Sequence, residues 1–184
     1  MTKISDKIKS LPSQDKELLD LQISVIQLKK GEFAFDQSAF DSSIYYVVNG
    51  LLRKYLLKNG NEKTIDFYFK DELYFPHVLT KDKTTNCFLQ AIEKTTIFKL
   101  NIWEFEKLKK ANLKLLELEN LILDLALTQS AERLQNFQIM SATERYVNLL
   151  EKNPEIVQNI PLIYVASYLG INNASLSKIR ANLK

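Results

Sequence analysis

The sequence predicts an α+β fold in three parts: an N-terminal antiparallel β-roll, one long helix and a C-terminal pair of short helices. Between Ile23 and Leu100, seven short runs rich in β-branched and aromatic residues alternate with turn signals, as in an antiparallel roll. The stretch from Leu113 to Phe137 contains neither proline nor glycine, which favours a long helix. Near the C-terminus, Gly170 separates two short helical patterns.

Composition limits the class of protein. The chain has 184 residues, of which 46% are hydrophobic and 26% are charged, as in soluble globular proteins with one large or two small domains. Its net charge is only +3, so any contact with nucleic acid must come from a local basic patch. The single cysteine, Cys87, excludes an internal disulfide and a cysteine-ligated iron–sulfur cluster or zinc site within one chain.

Several activities and locations are not expected. With four glycines, one histidine and one cysteine, no phosphate-binding loop, metal-ligand cluster or Ser/His/Asp set can be assembled, so we expect neither an enzyme nor a metal site. The N-terminus is charged, and no run of about 18 apolar residues occurs, so we expect no signal peptide, no membrane span and a cytoplasmic location.

The predicted sensor domain occupies residues 1–111 and consists of an N-terminal helix, which Ser13 is expected to cap, followed by the β-roll. Two Asn-Gly pairs, Asn49-Gly50 and Asn59-Gly60, are predicted to form tight hairpins. The predicted strands are Val25 to Leu28, Phe33 to Phe35, Ile44 to Val48, Leu51 to Leu57, Thr64 to Phe69, Phe88 to Ile92 and Thr96 to Leu100.

The long helix, residues 112–138, has two apolar faces. One is a seam with steps of three and four residues, which we predict to be a dimer interface, whereas an ordinary buried core helix is the alternative. Its predicted interface residues are Leu116, Asn120, Leu123, Leu127 and Leu134. The other face is expected to pack on the roll and carries Leu115, Leu118, Ile122 and Leu125.

Residues 139–184 are predicted to form a helix-turn-helix domain. It begins with a capping box from Ser141 to Glu144, which makes residues 138–140 a candidate hinge. Pro161 suits the first position of the next helix, and Gly170 suits the turn that follows it. Asn172 or Asn173 can cap a second helix.

The second helix has the chemistry of a helix in a DNA major groove, because its outward side chains are amides, hydroxyls and cations. From Ile156 to the C-terminus there is no Asp or Glu, which makes this end locally basic. A helical hairpin that packs in a core or contacts another protein is the alternative. The predicted DNA-binding residues are Asn172, Asn173, Ser175, Ser177, Lys178, Arg180 and Lys184.

This layout resembles the Crp/Fnr family of bacterial transcription regulators over essentially the whole chain. The similar segments are 29–33, 44–53, 144–146 and 160–180. The resemblance implies a cyclic-nucleotide-binding-like jelly roll, a winged helix-turn-helix and a homodimer that binds a two-fold site in double-stranded DNA. It also implies a small-molecule effector in the roll and RNA polymerase as a further partner. Only four residues follow Arg180, so the wing itself is not expected.

The chain departs from the family pattern in the sensor. Where cyclic-nucleotide binders of the family have Gly-Glu-Leu and Arg-Ser-Ala segments, residues 74–79 and 85–88 have neither, so we do not expect cyclic AMP in the usual mode. A divergent cyclic-nucleotide pocket is an alternative, and the effector is unknown. His77, the only histidine, is a further candidate ligand for haem or a metal ion. In the reading helix, Ala174 stands where the family often has an acidic residue. The candidate effector pocket consists of Phe67, Phe69, Tyr74, Phe75, His77 and Thr85.

Overall fold

A computed structural model of the chain describes residues 4–35, 42–74, 87–110, 112–154 and 159–183. Within these ranges it contains two four-stranded antiparallel sheets, with strand orders β1-β8-β3-β6 and β2-β7-β4-β5. The strands are β1 Ile23–Leu28, β2 Phe33–Phe35, β3 Ser43–Asn49, β4 Leu52–Lys58, β5 Asn61–Tyr68, β6 Leu73–Tyr74, β7 Cys87–Ala91 and β8 Thr95–Asn101. The helices are α1 Ile4–Lys9, α2 Ser13–Asp20, α3 Ile102–Lys109, α4 Leu113–Ile139, α5 Ala142–Lys152, α6 Leu162–Leu169 and α7 Asn173–Asn182.

The two sheets enclose a core to which both contribute. Tyr45, Val47 and Ile97 from one sheet and Leu52 and Leu89 from the other are fully buried in one cluster. All seven predicted strands are present with ends shifted by up to three residues, and the structure adds β6, whose two residues are too few to show a pattern in sequence.

One of the two predicted hairpins is correct. Asn59 and Gly60 both have positive φ, 52° and 75°, and join the paired strands β4 and β5. The hairpin at Asn49-Gly50 is wrong, because β3 and β4 belong to different sheets and the chain crosses between them there. Gly50 has φ 93°, and a Cβ on it would lie 2.6 Å from the Lys94 carbonyl oxygen, so only glycine fits this crossing.

The first half of α4 packs on the N-terminal part of the chain. Leu115, Leu118 and Ile122 are buried against helices α1 to α3 and the end of the β1-β8-β3-β6 sheet, as the sequence pattern predicts for this face. Asn112 caps the helix by accepting from the Lys114 and Leu115 amides. The helix begins at residue 113, at the N-terminal end of the predicted range, and continues to Ile139.

Helix α6 lies against strand β5, and the C-terminal helices share a core with the roll. Leu51, Phe67 and Ile92 of the roll belong to the same buried cluster as seven side chains of the last 40 or so residues. Those seven are Tyr146, Leu149, Ile160, Val165, Ala166, Leu169 and Leu176. The roll and the C-terminal helices are therefore packed as one body through β5.

Candidate nucleic-acid interface and interdomain cleft

Helix α7 begins at a cap that the sequence predicts. The Asn172 side chain accepts from the Ser175 amide at 2.8 Å, which satisfies one of the free amides of the first turn. Before it, Gly170 ends α6 in the left-handed conformation with φ 71°. Pro161 lies one residue before α6, in the N-cap position. Leu176 is 1% exposed and fixes the inner face of α7 against the shared core.

The outer face of α7 is open to solvent. Asn172, Asn173, Ser177 and Lys178 are exposed, so four of the predicted DNA-binding side chains lie on one accessible surface. Ser175 and Arg180 are half-exposed on the flanks of this surface. Lys184 lies outside the described residues. The surface combines amides, hydroxyls and a lysine with the positive end of a helix dipole, which suits an anionic partner.

Arg145 connects the end of α4 with the end of α6. Its guanidinium donates to the Met140 carbonyl oxygen at 2.5 Å and to the Leu169 carbonyl oxygen at 2.8 Å, and it stacks 4.5 Å from the centre of the Phe137 ring. It follows the Ser141–Glu144 capping box, in which hydrogen bonds from Ser141 lower the pKa of Glu144. The predicted hinge, residues 138–140, is therefore bridged by a side chain.

A second arginine fixes α6 on the roll. The Arg53 side chain is 1% exposed, and its guanidinium lies 4.4 Å from the centre of the Tyr55 ring and 3.5 Å from the centre of the Tyr164 ring of α6. It also donates to Thr64 Oγ1 and to Glu62 Oε2, both at 2.8 Å. The buried charge is thus paired, hydrogen-bonded and stacked.

Two further contacts continue this interface along β5. The Thr64 amide of this edge strand donates to Ser167 Oγ at 3.0 Å, so α6 covers a backbone donor that would otherwise be unpaired. Beyond it, the Phe67 ring lies 5.3 Å from the Tyr168 ring. None of these pairs is close in sequence.

A cleft of about 850 Å³ opens between β5, the second half of α4, α5 and α6. Its volume lies in the range of small-molecule sites. Its apolar wall includes Phe67, Phe69, Leu125 and Leu149, and Arg145 lines it with a buried Nε that has no hydrogen-bond partner among the described residues.

Asp66 and Arg133 form the polar part of this cleft. The carboxylate is 3% exposed and is ion-paired with the guanidinium, which also donates to the phenol oxygens of Tyr68 and Tyr168. Burial raises the pKa of Asp66, although Arg133 and a hydrogen bond from Tyr68 oppose the shift. Burial also raises the pKa values of Tyr68 and Tyr168. Both phenols therefore stay neutral.

The predicted effector residues are divided between two places. Phe67 and Phe69 line the interdomain cleft, whereas Tyr74 is buried in the roll core, 5.5 Å from the Phe35 ring and under the Lys54 ammonium. Phe75, His77 and Thr85 lie outside the described residues. Two neighbours of Tyr74 also have shifted pKa values, because burial lowers the pKa of Lys54 and raises that of the buried Cys87 thiol.

The predicted dimer seam of α4 is uncovered in the single chain. Leu116, Leu123, Leu127 and Leu134 are 39%, 43%, 72% and 61% exposed, and Asn120 is exposed between them. An apolar row of this length on one helix face normally has a partner. None of the helices in the described ranges is both long and apolar enough to cross a membrane.

Within the described residues, the architecture consists of a β-roll of two sheets, a long helix and a terminal pair of short helices. No protein-family model and no curated protein matches the amino-acid sequence. Solved structures that resemble this fold include Crp/Fnr transcription regulators, so the chain has the fold of that family.

Three such structures illustrate the likeness. A transcriptional regulator of the Crp/Fnr family from Eubacterium rectale superposes with a TM-score of 0.70 at 16% identity, over 93% of this chain and 82% of the other. FixK2 from Bradyrhizobium japonicum gives a TM-score of 0.70 at 16% identity, over 88% of this chain and 84% of the other. The c-di-GMP responsive global regulator CLP from Xanthomonas campestris gives a TM-score of 0.69 at 13% identity, over 94% of this chain and 91% of the other.

Proposed function

We propose that the chain is a Crp/Fnr-type transcription regulator that binds double-stranded DNA sequence-specifically as a homodimer. The observation that carries the proposal is the outer face of α7: it is exposed, free of carboxylates and held by a buried inner face, in a chain with this fold. Helices α6 and α7 then act as a helix-turn-helix whose second helix enters the major groove.

The residues of this face divide into two roles. Asn173, Ser177 and Lys178 point away from the shared core and would contact base edges, with Ser175 beside them. Arg180 and the capped amides next to Asn172 would contact phosphates and fix the orientation of the helix on the duplex. Ala174 has no hydrogen-bonding group, so it selects no base by hydrogen bonding.

The homodimer is proposed to form through the seam of α4. A second copy of the same helix buries Leu123, Leu127 and Leu134 by symmetry and supplies the second reading helix for a two-fold site. Asn120 within the seam would favour one register of the two helices.

The proposal is tested by selecting genomic DNA fragments bound by the purified protein and measuring mobility shifts at two salt concentrations. We expect binding that weakens as salt increases, because Lys178 and Arg180 displace counterions. Absence of any shift at low salt would contradict the proposal and favour a helix pair that contacts protein. Lys178→Ala is expected to weaken the selected site by about 1–3 kcal/mol and non-specific DNA much less. Lys58→Ala, an exposed lysine of the β4–β5 turn, is the matched control and should change neither.

The effector is proposed to be a small molecule other than cyclic AMP bound in the usual mode. The support is the sequence of the sensor, which has neither the carboxylate nor the arginine segment of the cyclic-nucleotide binders. Titration calorimetry with cyclic AMP and with cyclic GMP should show no saturable binding. Saturable binding in the micromolar range would establish a divergent nucleotide pocket instead.

A further inference from the structure

Arg133 contacts the three parts of the chain at one point. It lies on α4, is ion-paired with Asp66 of β5, and donates to Tyr68 of β5 and to Tyr168 of α6. These four residues are called the Arg133 junction below. The junction therefore joins the roll, the long helix and the helix pair through a single guanidinium.

The junction depends on that guanidinium. Asp66 is 3% exposed, and a carboxylate removed from water is costly unless a cation and hydrogen bonds compensate its charge. Arg133 supplies the cation, and its planar fork reaches several acceptors in fixed directions. A residue without charge at position 133 would leave Asp66 buried without its ion pair and would free the hydroxyl of Tyr168 from α4.

The junction is also well placed to control the geometry of a dimer. Arg133 precedes Leu134 of the proposed dimer seam, and Tyr168 lies two residues before the Gly170 turn into α7. Arg53 also holds α6, but its contacts reach only the roll and Tyr164, not the dimerisation helix. Arg145 also joins α6 to the dimerisation helix, through the Leu169 carbonyl oxygen and the Phe137 ring, so Arg133 and Arg145, unlike Arg53, both relate the reading helix to the two-fold axis.

We propose that Arg133 is a positioning residue that sets the separation of the two reading helices, and thereby the spacing of the two DNA half-sites. This inference rests on the proposed function. Helix-turn-helix dimers read half-sites about 34 Å apart, one turn of DNA, and a rotation of either helix pair changes that distance. Fixing α6 to the dimerisation helix restricts the dimer to one spacing.

The test compares Arg133→Gln with Lys114→Gln, a matched change of a cation on the same helix that is exposed and, among the described residues, is paired with Glu117 alone. The half-site selected by the wild type is placed twice in synthetic duplexes at spacings that differ by single base pairs. We expect the wild type and Lys114→Gln to bind one spacing with an affinity about tenfold or more above that for its neighbours, because the second reading helix adds to the affinity only when both half-sites can be bound together. For Arg133→Gln, the affinities for duplexes with neighbouring spacings should lie within about threefold of one another, and the affinity for a single half-site should be unchanged.

An unchanged spacing preference in Arg133→Gln would overturn the inference. Tyr168→Phe provides a second variant that keeps the ring on Phe67 and removes only the hydroxyl, so that a loss of folding in Arg133→Gln does not decide the question. It should relax the spacing preference in the same direction.

Amide hydrogen exchange separates this inference from the proposed function. In Arg133→Gln and Tyr168→Phe, the amides of α6 should exchange faster than in the wild type, while those of β3 and β8 in the roll should not change. If the wild type binds no DNA at low salt, the proposed function and the spacing inference both fail. If it binds DNA and the α6 amides exchange as before in both variants, only the role of Arg133 is refuted.

Discussion

The contact between Arg53 and Tyr164 gives the sharpest test of how the helix pair is held. Replacing Arg53 by Met keeps an apolar side chain of similar length and removes the charge. The loss includes a desolvated cation–π contact with Tyr164, worth about 2 kcal/mol. It also includes the hydrogen bond to Thr64, worth about 1 kcal/mol, and an ion pair with the half-exposed Glu62 of at most about 1 kcal/mol. We therefore expect the free energy of unfolding to fall by about 3 kcal/mol.

A double-mutant cycle isolates the part that crosses between the roll and α6. Urea unfolding of Arg53→Met, Tyr164→Leu and the double variant should give a coupling energy of about 1–2 kcal/mol, because the guanidinium lies 3.5 Å from the Tyr164 ring centre. The same cycle with Tyr55, whose ring centre lies 4.4 Å from the guanidinium, is the control within the sheet. A coupling near zero for the Tyr164 pair with a normal one for Tyr55 would refute the docking of α6 on β4 and β5.

Three further outcomes are expected. Leu127→Lys places a charge on the most exposed of the predicted interface leucines and should convert the proposed dimer into a monomer in sedimentation equilibrium. Lys114→Gln should leave the dimer intact, and a monomeric wild type would contradict the proposed dimer interface. Burial raises the pKa of Asp66 in the folded chain above its ordinary value of 3.8. The contribution of Asp66 to stability, relative to Asp66→Asn, is therefore complete below the ordinary pKa and declines as the pH rises through the raised pKa. Urea unfolding of both proteins across this range measures the difference, and a constant difference would count against burial as the dominant cause. Gly50→Ala should lower the free energy of unfolding by more than about 1 kcal/mol, because its Cβ would lie 2.6 Å from a backbone oxygen. Gly31→Ala, with no atom within 4 Å of its Cβ, should lower it less in the same unfolding assay. Equal losses would mean that the positive φ alone explains both effects.

Local patterns account for the elements that the sequence predicts correctly. The strands, the long helix, the Ser141 capping box and the Asn172 cap all depend on residues within a few positions of one another. The pairing of strands is not local, and for that reason Asn59-Gly60 forms a hairpin whereas Asn49-Gly50, with the same two residues, is a crossing between sheets.

The contacts that hold α6 on the roll could not be found from sequence. Tyr164 and Tyr168 read as ordinary residues of an amphipathic helix, and nothing near them indicates that Arg53 and Arg133 are their partners. The cluster of aromatic residues predicts a pocket at Phe67, and Phe67 lines the cleft, where its ring lies 5.3 Å from the Tyr168 ring. Asp66 lines the same cleft, but its partner Arg133 is distant in the chain, so the ion pair could not be predicted from sequence.

The core shared by the roll and the C-terminal helices limits how this protein could be rebuilt from parts. A chimaera that moved residues 139–183 onto another sensor would expose the apolar surface that Leu51, Phe67 and Ile92 cover here. The β4–β5 hairpin would have to move with these residues, because it carries both Arg53 and the strand on which α6 rests.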